Sequence, residues 1–196
     1  GGNAIAVGCD VSKESDVRAM IEAAMKSYGR IDVLVNNAGL MIPNESLLDI
    51  EPARFQQLMA VNVRGPYLTC RHVLPIMMQQ KSGSIINIGS GSAEIIRRGN
   101  AVYGSSKAAL HMISRCLAEE TRDYNIAVNV LNAPGLTTEG SWAIPWARTT
   151  EEQGRKWENR STPEELMPSL IFLARQTSNS FTGQVVAPGE FGKTWP

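Results

Sequence analysis

Residues 84–107 read SIINIGSGSAEIIRRGNAVYGSSK, and their interpretation decides the fold. Ser84–Ile88 is a short apolar run of strand length, and Gly89 and Ser90 end it. Thirteen residues past Ser90 comes Tyr103-Gly104-Ser105-Ser106-Lys107, at the start of a segment with helical period that runs to Tyr124. A strand, a loop rich in small residues and a long amphipathic helix form the opening of a βαβ unit.

The same alternation extends in both directions. Further strands are expected at Ala4–Val7, Ile31–Val35, Ile126–Leu131 and Gln184–Val186, with helices at about Glu14–Tyr28, Pro52–Asn62, Arg64–Gln80, Tyr103–Tyr124 and Pro163–Ala174. Thr162-Pro163-Glu164-Glu165 combines an N-cap threonine, proline at the first helical position and glutamate three residues after the cap. The expected fold class is α/β, a three-layer Rossmann-like doubly wound parallel sheet. The irregular stretch from Pro134 to Ser161 carries Trp142, Trp146 and Trp157, which suit either a cover for an apolar ligand or packing within the domain or against a neighbour.

Composition removes several function classes. The 196 residues suit one domain, and 19 Lys and Arg balance 19 Asp and Glu, so no field of one sign draws the chain to nucleic acid or an anionic membrane. Cys9, Cys70 and Cys116 are an odd number without a Cys-x-x-Cys pair, which argues against a disulfide framework or a zinc site and for reduced thiols in a cytoplasm. His72 and His111 lie on expected helices without ligand-spaced partners, so helix-surface or interface roles are expected and no metal. No run of 18 apolar residues is present.

Positions four apart on a helix share a face, so the phenol of Tyr103 and the ammonium of Lys107 can reach one ligand. A nearby cation favours the phenolate, which would suit Tyr103 to acid/base work. Ser90, at a strand end, can hold a substrate oxygen beside that phenol; otherwise it is a turn residue. Asn36-Asn37-Ala38-Gly39 follows the expected strand Ile31–Val35, where open parallel sheets bind ligands, though alone it would be a loop. Asn62 alone would be a helix-breaking amide making local backbone bonds, and Asp10 alone would cap the helix that follows.

Together these elements resemble the short-chain dehydrogenase/reductase family, in its single-domain branch, over nearly the whole chain. The resemblance implies an oxidoreductase that uses NAD or NADP to interconvert a secondary alcohol and a ketone. It assigns a catalytic tetrad to Asn62, Ser90, Tyr103 and Lys107: Tyr103 exchanges the proton, Ser90 positions the substrate oxygen, Lys107 tunes Tyr103 and holds the nicotinamide ribose, and Asn62 anchors a water relay. It implies cofactor contacts from Asp10 and Val11 beside the adenine, Asn37, Ala38 and Gly39 beside the adenosine ribose, and Pro134, Gly135 and Thr137 under the nicotinamide. It further implies homodimers or homotetramers through the two long helices. Pro134-Gly135 is followed by Thr137 and Glu139, and Pro188-Gly189-Glu190 stands near the end, where the family usually has other residues.

The family's opening strand, glycine-rich turn, first helix and second strand have no counterpart here, so the expectation is a single N-terminally truncated Rossmann-like domain over residues 1–196. A competing expectation is a catalytically silent fragment that folds and associates only. An extended sugar-nucleotide epimerase is disfavoured, because the C-terminal portion is too short for a substrate domain.

Overall fold

A computed structural model describes residues 2–42, 45–134 and 161–196. Among them run α1 (Glu14–Tyr28), β1 (Val33–Asn36), α2 (Pro52–Met59), α3 (Gly65–Gln80), β2 (Gly83–Gly89), α4 (Ala101–Glu120), β3 (Ile126–Asn132), α5 (Met167–Ala174) and β4 (Val185–Val186). The strands form one parallel sheet in the order β1-β2-β3-β4. Val33 pairs with Ser84, and Gly83 with Ile126, so the C-terminal ends of β1, β2 and β3 come together at one edge.

Side chains alternate across a pleated sheet, and each face here has its own cover. On one face Ile85, Ile126 and Val128 pack against Val17 and Ile21 of α1, Leu68, Val73 and Met77 of α3 and Ala118 of α4. On the other, Ile86, Leu131 and Val186 meet Leu173 of α5 and Trp195. Helices therefore lie on both faces, giving the three-layer Rossmann-like arrangement expected from the alternation. Phe172, Phe181, Phe191 and Trp195 interlock on the second face, with the Phe191 and Trp195 ring centroids 4.8 Å apart.

The first face also buries a relay of amides and hydroxyls. Thr69 Oγ1 donates to Asn36 Oδ1 at 2.7 Å, Asn36 Nδ2 to Asn87 Oδ1 at 2.8 Å, Asn87 Nδ2 to Ser114 Oγ at 2.7 Å, and Ser114 Oγ to the Leu110 carbonyl at 2.6 Å. Buried polar groups are tolerated when each finds a partner, and this chain satisfies one residue from each of α3, β1, β2 and α4 in turn.

Two expectations of local structure are corrected. Ala4–Val7 forms no strand: it has no ladder partner among the described residues, and Ile5 and Val7 stand 48 % and 39 % exposed. The helices expected over Pro52–Asn62 and Arg64–Gln80 are joined by a π-type turn, Ala60–Arg64, which holds Asn62 at its centre. Such turns insert one residue into a helix and turn a chosen side chain inward. At the C-terminal side, the capping box at Thr162 opens a 3₁₀ turn, Pro163–Leu166, before α5 begins.

Candidate active site

The site forms where three parallel strands end. Beyond Asn36 of β1 lie the exposed residues Asn37, Ala38 and Gly39; beyond Gly89 of β2 lies Ser90; beyond Asn132 of β3 lies the exposed Pro134. Gly135 and Thr137, like Trp142, Trp146 and Trp157, lie outside the described residues.

Asn62 is 1 % exposed and stitches the site together. Its Oδ1 accepts the Leu40 N–H at 2.7 Å, and its Nδ2 donates to the Leu40 carbonyl at 2.8 Å and to Ser106 Oγ at 3.1 Å. The side chain is thus committed to the protein, bracing the segment after β1 against α4, while Ser106 Oγ donates to the Tyr103 carbonyl at 2.7 Å.

Lys107 is buried, and its Nζ donates to the carbonyl of Ile88 at 2.9 Å, two residues before Ser90. Burial lowers its pKa to about 8. A Cβ added to Gly39 would stand 3.5 Å from Asn62 Oδ1 and 3.6 Å from Lys107 Nζ, so the glycine segment, the amide and the ammonium lie side by side. An ammonium carries three donors, and among the described residues Ile88 takes one of them.

Lys107 Nζ lies 5.9 Å from the centroid of the Tyr103 ring. Burial pushes the Tyr103 phenol above its ordinary pKa, and hydrogen bonding from Ser90 draws it partway back. The pull of Lys107 toward the phenolate expected from the sequence is not among the causes of this shift, in which burial is the largest, and the ammonium is bonded to the Ile88 carbonyl. A raised pKa keeps Tyr103 protonated at neutral pH, the form that donates. Ser90 caps a 3₁₀ turn, its hydroxyl accepting the Ser92 N–H at 3.2 Å.

The outer contacts are plainer. Asp10 is exposed, accepts from the backbone and hydroxyl of Ser12 at 3.0 and 2.7 Å, and pairs with Lys13 at 3.4 Å; the bond from Ser12 holds its carboxyl below the ordinary range. Asp10 therefore closes the turn before α1 and does not cap the helix, whose N-cap is Lys13 with no side-chain bond. Val11 packs on Gly65, where an added Cβ would meet Val11 Cγ2 at 3.0 Å.

Histidines diverge from one another. His72 reaches from α3 to Glu14 of α1, Nε2 to Oε1 at 2.9 Å. His111, expected at a helix surface or an interface, is 7 % exposed, because its face of α4 packs over β2 and β3. Its Nε2 and Asn132 Oδ1 are buried without a hydrogen-bond partner and both face Gly89, the position where a side chain would collide with them. Sequence reasoning also missed Ser106 and the Asn36–Asn87 relay; the available signal was asparagine within apolar strands. Among the described residues no three His, Cys, Asp or Glu side chains gather to hold a metal, and no helix is long and apolar enough to cross a membrane.

A parallel α/β sheet covered by helices on both faces places the chain in the Rossmann-like fold class. A family model described as enoyl-(acyl carrier protein) reductase matches residues 1–188, and the chain belongs to the short-chain dehydrogenase/reductase family of oxidoreductases. The 2-(R)-hydroxypropyl-CoM dehydrogenase of Xanthobacter autotrophicus is 33 % identical over 90 % of this chain and 73 % of its own. A solved 3-ketoacyl-(acyl-carrier-protein) reductase from Brucella melitensis, complexed with NADH, superposes with a TM-score of 0.84 at 29 % identity, over 94 % of this chain and 76 % of its own. A gluconate 5-dehydrogenase from Burkholderia cenocepacia, in complex with NADP and tartrate, gives 0.79 at 28 % identity, over 91 % and 71 %.

Proposed function

We propose that this chain, as a single domain, interconverts a secondary alcohol and a ketone with NAD or NADP. The observation that carries the reading is the placement of Lys107 Nζ, buried, bonded to Ile88 O and beside the Tyr103 ring, at the strand end that delivers Ser90. The solved relatives that hold NADH or NADP support the choice of cofactor.

Lys107 holds the cofactor's ribose hydroxyls, and Asn37, Ala38 and Gly39 lie beside it, with Pro134 at the next strand end and Gly135 and Thr137 following it in sequence. When bound, the nicotinamide gives or takes the hydride. Ser90 donates a hydrogen bond to the substrate oxygen and sets its distance from Tyr103. Tyr103 gives its phenolic proton to that oxygen in reduction and takes one back in oxidation. Asn62 holds the β1 loop against α4, so that cofactor and proton donor keep their separation.

The partner is a second copy of the chain, met through α3 and α4. Support comes from an apolar groove of about 480 Å³ lined by Phe55, Met59, Val63, Tyr67 and Ile113, with Phe55 and Tyr67 more than 40 % exposed. The free thiols of Cys9, Cys70 and Cys116 suit a reducing cytoplasmic setting.

Calorimetric titration with NADH and NADPH tests the cofactor reading. One of the two is expected to bind at micromolar Kd below pH 8. Lys107 is an ammonium below its folded pKa of about 8 and neutral above it, so affinity should fall as pH rises through 8. Lys107→Met should bind more weakly and show no such step. Equal, pH-independent binding by both proteins would remove Lys107 from the site.

A further inference from the structure

We propose that Asn100 is a positioning residue that clamps residues 91–99 onto the catalytic helix and thereby selects which ketones reach Tyr103; the selection rests on the oxidoreductase reading. Asn100 is 6 % exposed and stands just before α4. Its Nδ2 spends both hydrogens on the loop, donating to the Ser92 and Ile95 carbonyls at 2.8 Å each. Its backbone joins the two ends of the clamp: the carbonyl accepts the Gly104 N–H in the first turn of α4 at 2.8 Å, and the N–H donates to the Arg97 carbonyl at 3.3 Å, across a turn where Gly99 has φ 75°. One residue therefore ties three points of the loop to the helix that carries Tyr103 and Lys107.

Gly104 is part of the same device. A Cβ there would lie 2.5 Å from Asn100 Nδ2 and 2.8 Å from the Ser92 carbonyl, atoms already fixed by the bond between them. Within Tyr103-Gly104-Ser105-Ser106-Lys107 the glycine serves close approach, letting the loop lie on the helix. The clamp reaches the chemistry by one step, since the Ser90 hydroxyl accepts the N–H of Ser92, whose carbonyl Asn100 holds. What the clamp presents is apolar and open: Ile95 is 49 % exposed and Ile96 fully so. A loop held from below and bare above is a surface for substrate contact whose position depends on Asn100.

Asn100→Asp is nearly isosteric, yet replaces the amide NH2 that makes both bonds with one carboxylate oxygen facing two carbonyls. Gly104→Ala attacks the clamp from the helix side. Each variant should be compared with the parent chain by limited trypsin digestion, by NADPH affinity and by steady-state ketone reduction across a panel of aliphatic ketones. Nicking after Arg97 and Arg98 is expected to accelerate by about ten-fold, the loss of one or two net hydrogen bonds. KM should rise by about ten-fold with kcat changed less than about three-fold and NADPH affinity kept, a split that mere loss of stability does not give. Unchanged nicking in both variants overturns the clamp, and so does indiscriminate nicking at lysines and arginines along the whole chain. Unchanged KM with faster nicking overturns the role in substrate selection. If the parent chain reduces no ketone, the oxidoreductase reading fails, while the nicking comparison still decides the clamp.

Discussion

The two faces of the sheet are built from different chemistry. Toward α5 the layer is mainly aromatic, with Phe172, Phe181, Phe191 and Trp195 packed edge to face or stacked. Its buried polar groups bond to backbone: Trp195 to the Ala187 carbonyl at 3.0 Å, Ser84 to the Leu173 carbonyl at 2.8 Å and Asn129 to the Phe181 carbonyl at 2.9 Å. Toward α3 and α4 the core is crossed by the relay from Thr69 through Asn36 and Asn87 to Ser114. Aromatic packing contributes stability without fixing register closely, whereas a bonded relay has one arrangement in which every member is satisfied. The polar face is the one from which Tyr103 and Lys107 reach the strand ends. The side-chain-to-side-chain relay lies on the face toward α3 and α4, and the aromatic cluster on the face toward α5.

Cutting each side separately breaks or sharpens that contrast. Trp195→Ala removes the largest side chain of the aromatic face and should cost about 4 kcal/mol of stability by denaturant unfolding, with NADPH affinity unchanged in the fraction that remains folded. Asn87→Ala leaves the Asn36 amide and Ser114 without their partners and should cost about 3 kcal/mol. Unlike the tryptophan change, it should also weaken cofactor binding, because Asn36 leads directly into Asn37, Ala38 and Gly39. Equal effects of the two changes on binding would show that the polar face has no special share in shaping the site.

Strong periodicity made much of this fold legible. Glu14–Tyr28 is a helix with the bounds its pattern indicates, and Ile85–Ile88 and Ile126–Leu131 are strands because continuous apolar runs mark strands buried on both faces. Ala4–Val7 shows the limit of that logic, since an apolar run becomes a strand only when a neighbour supplies its hydrogen bonds. β4 shrinks to Val185–Val186 for a related reason: Gln184 uses its N–H on the Asn129 side chain. The tetrad is assigned by resemblance alone, and the structure brings Asn62, Ser90, Tyr103 and Lys107 to one edge. Which partners those side chains choose was not legible. That Asn62 bonds Leu40, that Lys107 turns to Ile88, or that His111 lies beneath Gly89 depends on contacts 19 to 22 residues apart along the chain.

Proton exchange by Tyr103 at this site is tested most directly by Tyr103→Phe, because only the hydroxyl is removed. Turnover of NADPH with whichever ketone the parent chain reduces should fall by about a thousand-fold, the scale of lost general acid catalysis, while NADPH affinity and unfolding midpoint stay close to those of the parent. Turnover retained within about ten-fold of the parent would contradict the account, since a rate that survives without the phenol cannot depend on its proton.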